Sequence, residues 1–429
     1  MSRYKPYPEY KDSGVEWIGE VPAHWGVIAA KRLFSLYRRD RHDGSEQLAA
    51  TQDYGVIPQS EYMDRVGNRV MQALGGLDGF KDVKKDFFVI SLRSFEGGIE
   101  RCHYNGCISP AYTVLKPASS VNPKFFERLL KSPLFIQSLN TVTTGIREGK
   151  TITYGQFGEI GLTLAPSYEQ SQIATFLDRE TTRIDTLIEK KQRFIELLEE
   201  KRQAVITQAV TKGLDPDVPM KDSGVKAVGK VPLHWVAAPL RSIMHRKKSL
   251  VGSAWQNFKL LSLTKNGVIE RDVTENFGKF PESFETYQAV APDDMVMCLF
   301  DIDETPRTVG LSEAHGMITG AYTVFGIDSP AHRDYLYQLF LHLDNVKGLK
   351  PYYSGLRKTI RPPKLLSMRI PIPPVEEAEA ISDHIRSSQL RFDSLVEKTQ
   401  RSIELLKERR SALITAAVTG KIDVREEAA

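Results

Sequence analysis

Two stretches of this chain carry apolar residues at intervals of three and four, or their sum, over a length that few globular helices reach. In the first, Ile173, Leu177, Ile184, Leu187, Phe194, Leu198, Val205 and Ala209 fall on a heptad-like stripe. In the second, the stripe runs through Ile381, Ile385, Phe392, Leu395, Leu406, Leu413 and Ala417. Glu, Lys and Arg fill most of the other faces. The first pattern predicts a helix from Ser167, where Ser167 and Gln170 can form a capping box behind Pro166, to a stop near Lys212-Gly213. The second predicts a helix from about Val375 to Gly420. Each would be about 45 residues, or ~65 Å at 1.5 Å per residue. A narrow stripe on so long a helix needs a partner helix, and the two are natural partners. The expected interface sets Ile173, Leu177, Ile184, Leu187, Leu198 and Val205 against Ile381, Ile385, Phe392, Leu395, Leu406 and Leu413. The alternative is that each helix packs on its own globular domain.

The pattern differs in 25–166 and 235–374. Short β-type runs occur at Phe87–Ile90, Ala111–Val114, Met295–Met297 and Ile370–Ile372. Turn signals such as Asn266-Gly267 separate them, and short helical patterns lie at Lys124–Leu130 and Arg333–Leu343. Two α+β domains are expected, each followed by a long helix.

The chain repeats itself. KDSGVEWIGEVPAHW (11–25) meets KDSGVKAVGKVPLHW (221–235) at an offset of 210 residues. At the same offset SPAYTVLKP (109–117) meets TGAYTVFGI (319–327), and TGIR (144–147) meets SGLR (354–357). IELLEEKRQAVITQAVT (195–211) meets IELLKERRSALITAAVT (403–419) at an offset of 208. Four collinear matches establish a duplication. The copies agree in the opening segment, the AYTV strand, the Gly-x-Arg loop and the helix, and differ almost everywhere else.

Composition narrows the class. The chain has 429 residues, 41% hydrophobic and 26% charged, as in soluble globular proteins. No apolar run is long enough to span a bilayer, and the first residues lack the apolar core of a secretory signal. Three cysteines, Cys102, Cys107 and Cys298, argue against a disulfide framework and for a cytoplasmic location. The net charge of +4 says little about partners unless the basic residues cluster.

The repeated opening segment, the Gly-[Ile/Leu]-Arg loop, the apolar alternation with its proline and the long helix (LTLAPSYEQSQIATFLD; MRIPIPPVEEAEAISDHI) resemble the specificity subunits of type I restriction–modification systems. The resemblance covers nearly the whole chain. The second copy departs from the pattern at Glu377-Ala378, where the first has Glu169-Gln170. The family implies two target-recognition domains, each reading one half of a split double-stranded DNA site. It also implies two helices that pair antiparallel as a pseudo-two-fold spacer and dock two methylation subunits, with motor–nuclease subunits joining for restriction. The expected organisation is an opening segment (1–24), first recognition domain (25–166), central helix (167–213), linker with the repeated opening segment (214–234), second recognition domain (235–374), C-terminal helix (375–421) and tail (422–429). The alternative reading is a non-specific assembly scaffold or an orphan specificity-like protein.

Binding DNA needs cations for phosphates and hydrogen-bonding side chains for base edges. Basic clusters follow the His-Trp pair in both copies: Arg38, Arg39, Arg41 and His42, then His245, Arg246, Lys247 and Lys248. The Gly-x-Arg loops supply Gly145, Arg147, Lys150, Thr151 and Tyr154, then Gly355, Arg357, Lys358, Thr359 and Arg361. Turns at Tyr54–Ile57 and Asn266–Ile269 are further candidates. His24-Trp25 and His234-Trp235 read as packing anchors rather than catalytic groups.

No enzyme core is expected. GIREGKT (145–151) has three residues between its glycines where a phosphate loop needs four, and its continuation through Tyr154 reads as extended. Asn122-Pro123-Lys124-Phe125 lacks the second proline of an adenine methyltransferase motif. Pro292-Asp293 lacks a nuclease-type acidic-x-Lys partner. Cys102, His103 and Cys107 are too few for zinc, so neither metal nor cofactor is expected.

Overall fold

The computed structural model describes residues 4–67, 79–142, 152–271 and 283–427. It contains two compact units. One comprises Met1–Gln192 with Gln400–Ala429, the other Arg193–Thr399.

In the first unit the apolar runs form a four-stranded antiparallel sheet. Its strands are β1 (Phe34–Leu36), β2 (Phe88–Ile90), β3 (Glu100–Arg101) and β4 (Thr113–Pro117), in the order β1-β4-β2-β3. β2 is buried on both faces, which suits a run without polar alternation. Phe34, Phe88 and Leu115 pack on one side against Phe125, Phe126, Leu129 and Leu130 of α1 (Pro123–Leu130). Val89 and Val114 pack on the other against Leu48, Val56, Val83 and Ile108. Asn122 caps α1, its side chain accepting from the Lys124 and Phe125 amides at 3.0 and 3.2 Å. β4 starts at Thr113 because Tyr112 closes a turn back onto the Ser109 carbonyl. Gly26–Ala29 pairs antiparallel with Gly161–Leu164, so the chain leaves the domain beside the point where it entered.

The long α2 (Ser167–Lys212, 46 residues) follows. Its start corrects the expected capping box. The Gln170 amide hydrogen-bonds the Pro166 carbonyl, which places Ser167 already inside the first turn. The buried Gln170 side chain is used elsewhere: it accepts from the Asn122 amide and donates to the carbonyls of Ser120 and Ala165. The residue that fastens the helix is its neighbour. The Glu169 carboxylate has no exposed surface and receives the Trp25 indole N–H at 2.8 Å, His24 Nε2 at 2.6 Å and the Tyr7 hydroxyl at 3.2 Å. Burial alone would raise its pKa; the hydrogen bonds from Trp25, His24 and Tyr168 outweigh that and hold it below the usual carboxylate range.

The second unit repeats the plan. Strands β5 (Met244–Arg246), β6 (Met295–Met297), β7 (Val309–Leu311) and β8 (Thr323–Ile327) stand in the order β5-β8-β6-β7. α3 (Pro330–Asn345) adds Tyr335, Leu336, Leu339 and Phe340 to its core. The Asn266-Gly267 turn joins a hairpin, as its dipeptide signals. Val236–Pro239 pairs with Arg369–Ile372 before α4 (Val375–Val418, 44 residues). The anchor recurs: Glu377 Oε2 receives His234 Nε2 at 2.6 Å and the Trp235 indole N–H at 3.0 Å.

Within each unit, one end of α2 packs antiparallel on one end of α4. In the first unit Ile173, Leu177 and Ile184 share a core with Leu413 and Ala417. Asp185 pairs with Arg410 at 2.9 Å, and nearer the helix start Arg179 reaches the Glu427 carbonyl. In the second, Ile206, Ala209 and Val210 share a core with Ile381 and Ile385, and Arg202 pairs with Asp393 at 2.9 Å. Gly213, in the left-handed region that ends α2, lies beside Glu377 and Trp235. Gly420, in the same region beyond α4, lies against Pro22 and Trp25 in the first unit.

The stripe is not heptad-like throughout. Leu187 and Leu395, expected in the seam, are 40% and 36% exposed, and Phe194 is also exposed. Val205, Phe392 and Leu406 are half-buried, and Leu198 is buried. The covered series advances by eleven instead. It runs through Ile173, Ile184, Ile195 and Ile206 on α2, all buried. On α4 it runs through Ile381, the half-buried Phe392, Ile403 and Ile414. Eleven residues make three turns at about 3.67 residues each, closer to the natural helical pitch than seven residues in two turns. A face followed at heptad spacing therefore drifts away from the buried one.

Candidate nucleic-acid interface

The edge of the first domain gathers several of the sequence candidates. Arg38 and Arg39 emerge from the end of β1 and line a groove of about 670 Å³ together with Lys81, Ser91, Leu92, Thr153 and Tyr154. Arg38 and Arg39 are both exposed, with the Arg39 guanidinium 5.9 Å from the Tyr37 ring centroid. Arg41 lies 3.6 Å from Asp43, beside His42. Tyr154 lines the groove, but its hydroxyl is tied to the Phe34 carbonyl at 2.9 Å. Tyr154 also corrects the extended reading of its segment. Thr153 and Gln156 form a capping box, and a short helix runs Tyr154–Gly158. Gly145, Arg147, Lys150 and Thr151 lie outside the described residues.

A second groove, about 550 Å³, adjoins the first across Ser91 and Leu92. It is lined by hydrogen-bonding side chains including Gln47, Gln52, Gln59, Tyr62, Arg93 and Tyr112. Sequence reading missed the Ser91–Arg93 turn, whose only signal is its place directly after a buried strand. It also missed Lys81, whose ammonium donates to the carbonyls of Pro110 and Tyr112 and so pins the turn before β4. Burial lowers the Lys81 pKa, and nearby Arg38 lowers it further. In the second domain Gln288 does the equivalent work, donating to the Tyr322 carbonyl at 2.6 Å.

The second domain treats its basic candidates differently. Arg246 and Lys248 stand at and just beyond the end of β5, Arg246 exposed. Lys247 is committed internally, 2.5 Å from the buried Asp294, and His245 pairs with Asp328 at 2.8 Å. Arg357 pairs with Asp301 at 2.8 Å and sits 5.3 Å over the Phe300 ring, which stacks on Tyr322. Lys358 pairs with Asp303 at 3.3 Å, and the exposed Arg361 precedes a short helix, Pro362–Ser367. The Gly355 loop is thus braced by acids from another turn, rather than carrying uncommitted cations. The Tyr54–Ile57 and Asn266–Ile269 turns lie in the hairpins Leu48–Thr51/Gly55–Pro58 and Leu261–Thr264/Gly267–Glu270.

Nothing among the described residues of these edges resembles a catalytic constellation. Cys102 is buried, its thiol donating to the Tyr104 carbonyl, and burial pushes its pKa up to about 12. Among the described residues there is no group of three or more His, Cys, Asp or Glu side chains placed to hold a metal ion. No described helix is long and apolar enough to cross a membrane.

Comparison of whole folds decides the architecture. The HsdS subunit from Thermoanaerobacter tengcongensis superimposes with a TM-score of 0.58 at 14% identity, over 94% of this chain and 98% of that one. A chain from a structural study of complex assembly and conformational transition in the type I R-M system superimposes with a TM-score of 0.61 at 14% identity, over 94% and 99%. This chain has the HsdS fold. The HsdS likeness extends end to end, through both α+β domains and both long helices. No protein-family model matches the sequence, and no curated protein matches it.

Proposed function

We propose that this chain is the DNA-recognition subunit of a type I restriction–modification assembly, working in the cytoplasm. Each domain reads one half of a split, asymmetric site. The observation that carries the reading is one sheet order built twice, β1-β4-β2-β3 and β5-β8-β6-β7, behind two unlike edges. The first edge offers Arg38, Arg39 and a glutamine-lined groove; the second offers Arg246, Lys248 and an Arg–Phe–Tyr stack. A scaffold kept alike with surfaces allowed to differ is what reading two different half-sites requires.

The two helices form one antiparallel rod that sets the unread spacer. Within each unit the facing helix ends are bridged by an ion pair, Asp185–Arg410 in the first and Arg202–Asp393 in the second. Two methylation subunits dock on this rod, where exposed apolar side chains remain: Leu187 and Leu405 in the first unit, Phe194, Leu197 and Leu395 in the second. The chain itself uses no catalytic residue, metal or cofactor. Methyl transfer belongs to the methylation subunits, ATP hydrolysis and cleavage to motor–nuclease subunits.

The deciding experiment is single-molecule methylation mapping in cells expressing the chain with its methylation subunits. Two short specific segments separated by a fixed spacer are expected; one contiguous motif would defeat the two-domain reading. A second reading, an assembly scaffold without specificity, draws on the internal pairing of Lys247, Arg357 and Lys358. It predicts assembly with no methylated motif. Under the first reading, the double substitution Arg38→Ala/Arg39→Ala should weaken duplex binding across all sequences. It should also flatten the slope of log affinity against log salt by about one for each phosphate no longer neutralised. A change confined to particular bases would instead place these arginines at base edges.

A further inference from the structure

The loop at Ser354–Thr359 is held more firmly than a surface turn needs. Ser354 and Thr359 exchange both backbone hydrogen bonds, at 3.0 and 3.1 Å. Within that closed base the backbone is left-handed at Gly355, with φ of +72°, and at Lys358, with φ of +43°, so the chain bends tightly on either side of the tip. Arg357 is tied to Asp301 and lies over Phe300, and the Asp301 amide in turn donates to the Arg357 carbonyl at 2.9 Å. Lys358 is tied to Asp303.

At the tip stands Leu356, 104% exposed, while the next most exposed large hydrophobic side chain among the described residues reaches 67%. A leucine held out on a braced tip adds nothing to the core of the free chain, and ordering such a loop costs conformational entropy. Its placement makes sense if the side chain enters something apolar. Arg357 and Lys358 beside it are paired with Asp301 and Asp303, and the exposed Arg361 and Lys364 that follow supply the cations of this edge. A single aliphatic group flanked by cations matches the gap between two stacked base pairs, which is apolar within and bordered by phosphates. An apolar socket on a protein partner would be expected to engage a wider patch than one side chain.

We infer that Leu356 is a wedge that enters the base stack of duplex DNA at the half-site read by the second domain, unstacking one step. This rests on the recognition role proposed above. The first copy also places an apolar residue, Ile146, between the glycine and the arginine.

The test uses the assembled complex with its methylation subunits and duplexes carrying 2-aminopurine at successive positions across the second half-site. With every complex at saturation, the wild-type chain should raise fluorescence several-fold at one step. Leu356→Ala should abolish that rise and weaken binding about tenfold, whereas Leu356→Phe should retain it. A base extruded by a methyltransferase also brightens, so the diagnostic signal is the one that depends on residue 356. The inference is overturned if Leu356→Ala keeps every signal, or if it releases the methylation subunits instead, which would identify a protein socket. If the wild-type complex binds no specific sequence, the recognition role falls as well, and the two failures are told apart by the methylation map.

Discussion

Glu169→Ala is expected to destabilise the first unit by about 3 kcal/mol, because it strands the partners of a buried carboxylate. For a unit of this size that is a melting temperature lower by about 10 °C. The Trp25 indole N–H, with no exposed surface around it, would lose its acceptor, and the Tyr7 hydroxyl and His24 would lose theirs. The loss falls in the first turn of α2, where a carboxylate also favours the helix N-terminus. Amide exchange should therefore rise first in the opening turns of α2 and around Pro22–Trp25. Glu169→Gln keeps one acceptor oxygen and should cost less. Unchanged exchange in these segments of the alanine variant would mean that other packing, and not the carboxylate, fastens the helix.

The same carboxylate gives the unit an acid limit. Its folded pKa lies below its ordinary value, so the stability it supplies is fully present above the ordinary carboxylate range. That stability is lost as pH falls through the lowered folded value. Urea midpoints of the wild type should therefore drop at acid pH more steeply than those of Glu169→Gln.

The anchor also separates what a sequence discloses from what it hides. Repeats and periodicity are local or self-referential, so the duplication, both long helices and the strands around Phe88, Met295 and Ile370 are legible. Pairings between distant segments are not. Glu169 meets Trp25 across most of a domain, and the only trace is that Glu169 and Glu377 recur in the same first turn, as His24-Trp25 and His234-Trp235 recur in the opening segments. Ser167 and Gln170 resemble a cap because a sequence pattern cannot show that Gln170 is occupied elsewhere. Lys247, Arg357 and Lys358 read as uncommitted because Asp294, Asp301 and Asp303 lie far away along the chain. The expected seam is out of phase at Leu187 and Leu395 because spacings of three and four fit both a seven-residue and an eleven-residue repeat over short windows.

The eleven-residue repeat makes the proposed ruler testable in length. Matched insertions of two such repeats in α2 and α4 would add six turns to each helix, or ~33 Å, while keeping the buried faces in phase. One turn of B-DNA is ~34 Å. The expected product methylates both original half-sites with a spacer longer by about ten base pairs, because the second domain returns to the same face of the duplex. A single repeat inserted in each helix also preserves packing but adds only ~16.5 Å, about half a DNA turn. It would set the second domain against the wrong face, and methylation should fall to background although the complex assembles. Insertion in one helix alone leaves its partner too short and should impair assembly. Methylation mapping of the three variants separates these cases. The ruler is wrong if the long variant reads different bases, or if the short variant methylates as well as the long one. Either result would mean that spacing is set by flexible attachment of the domains and not by the length of the helices between them.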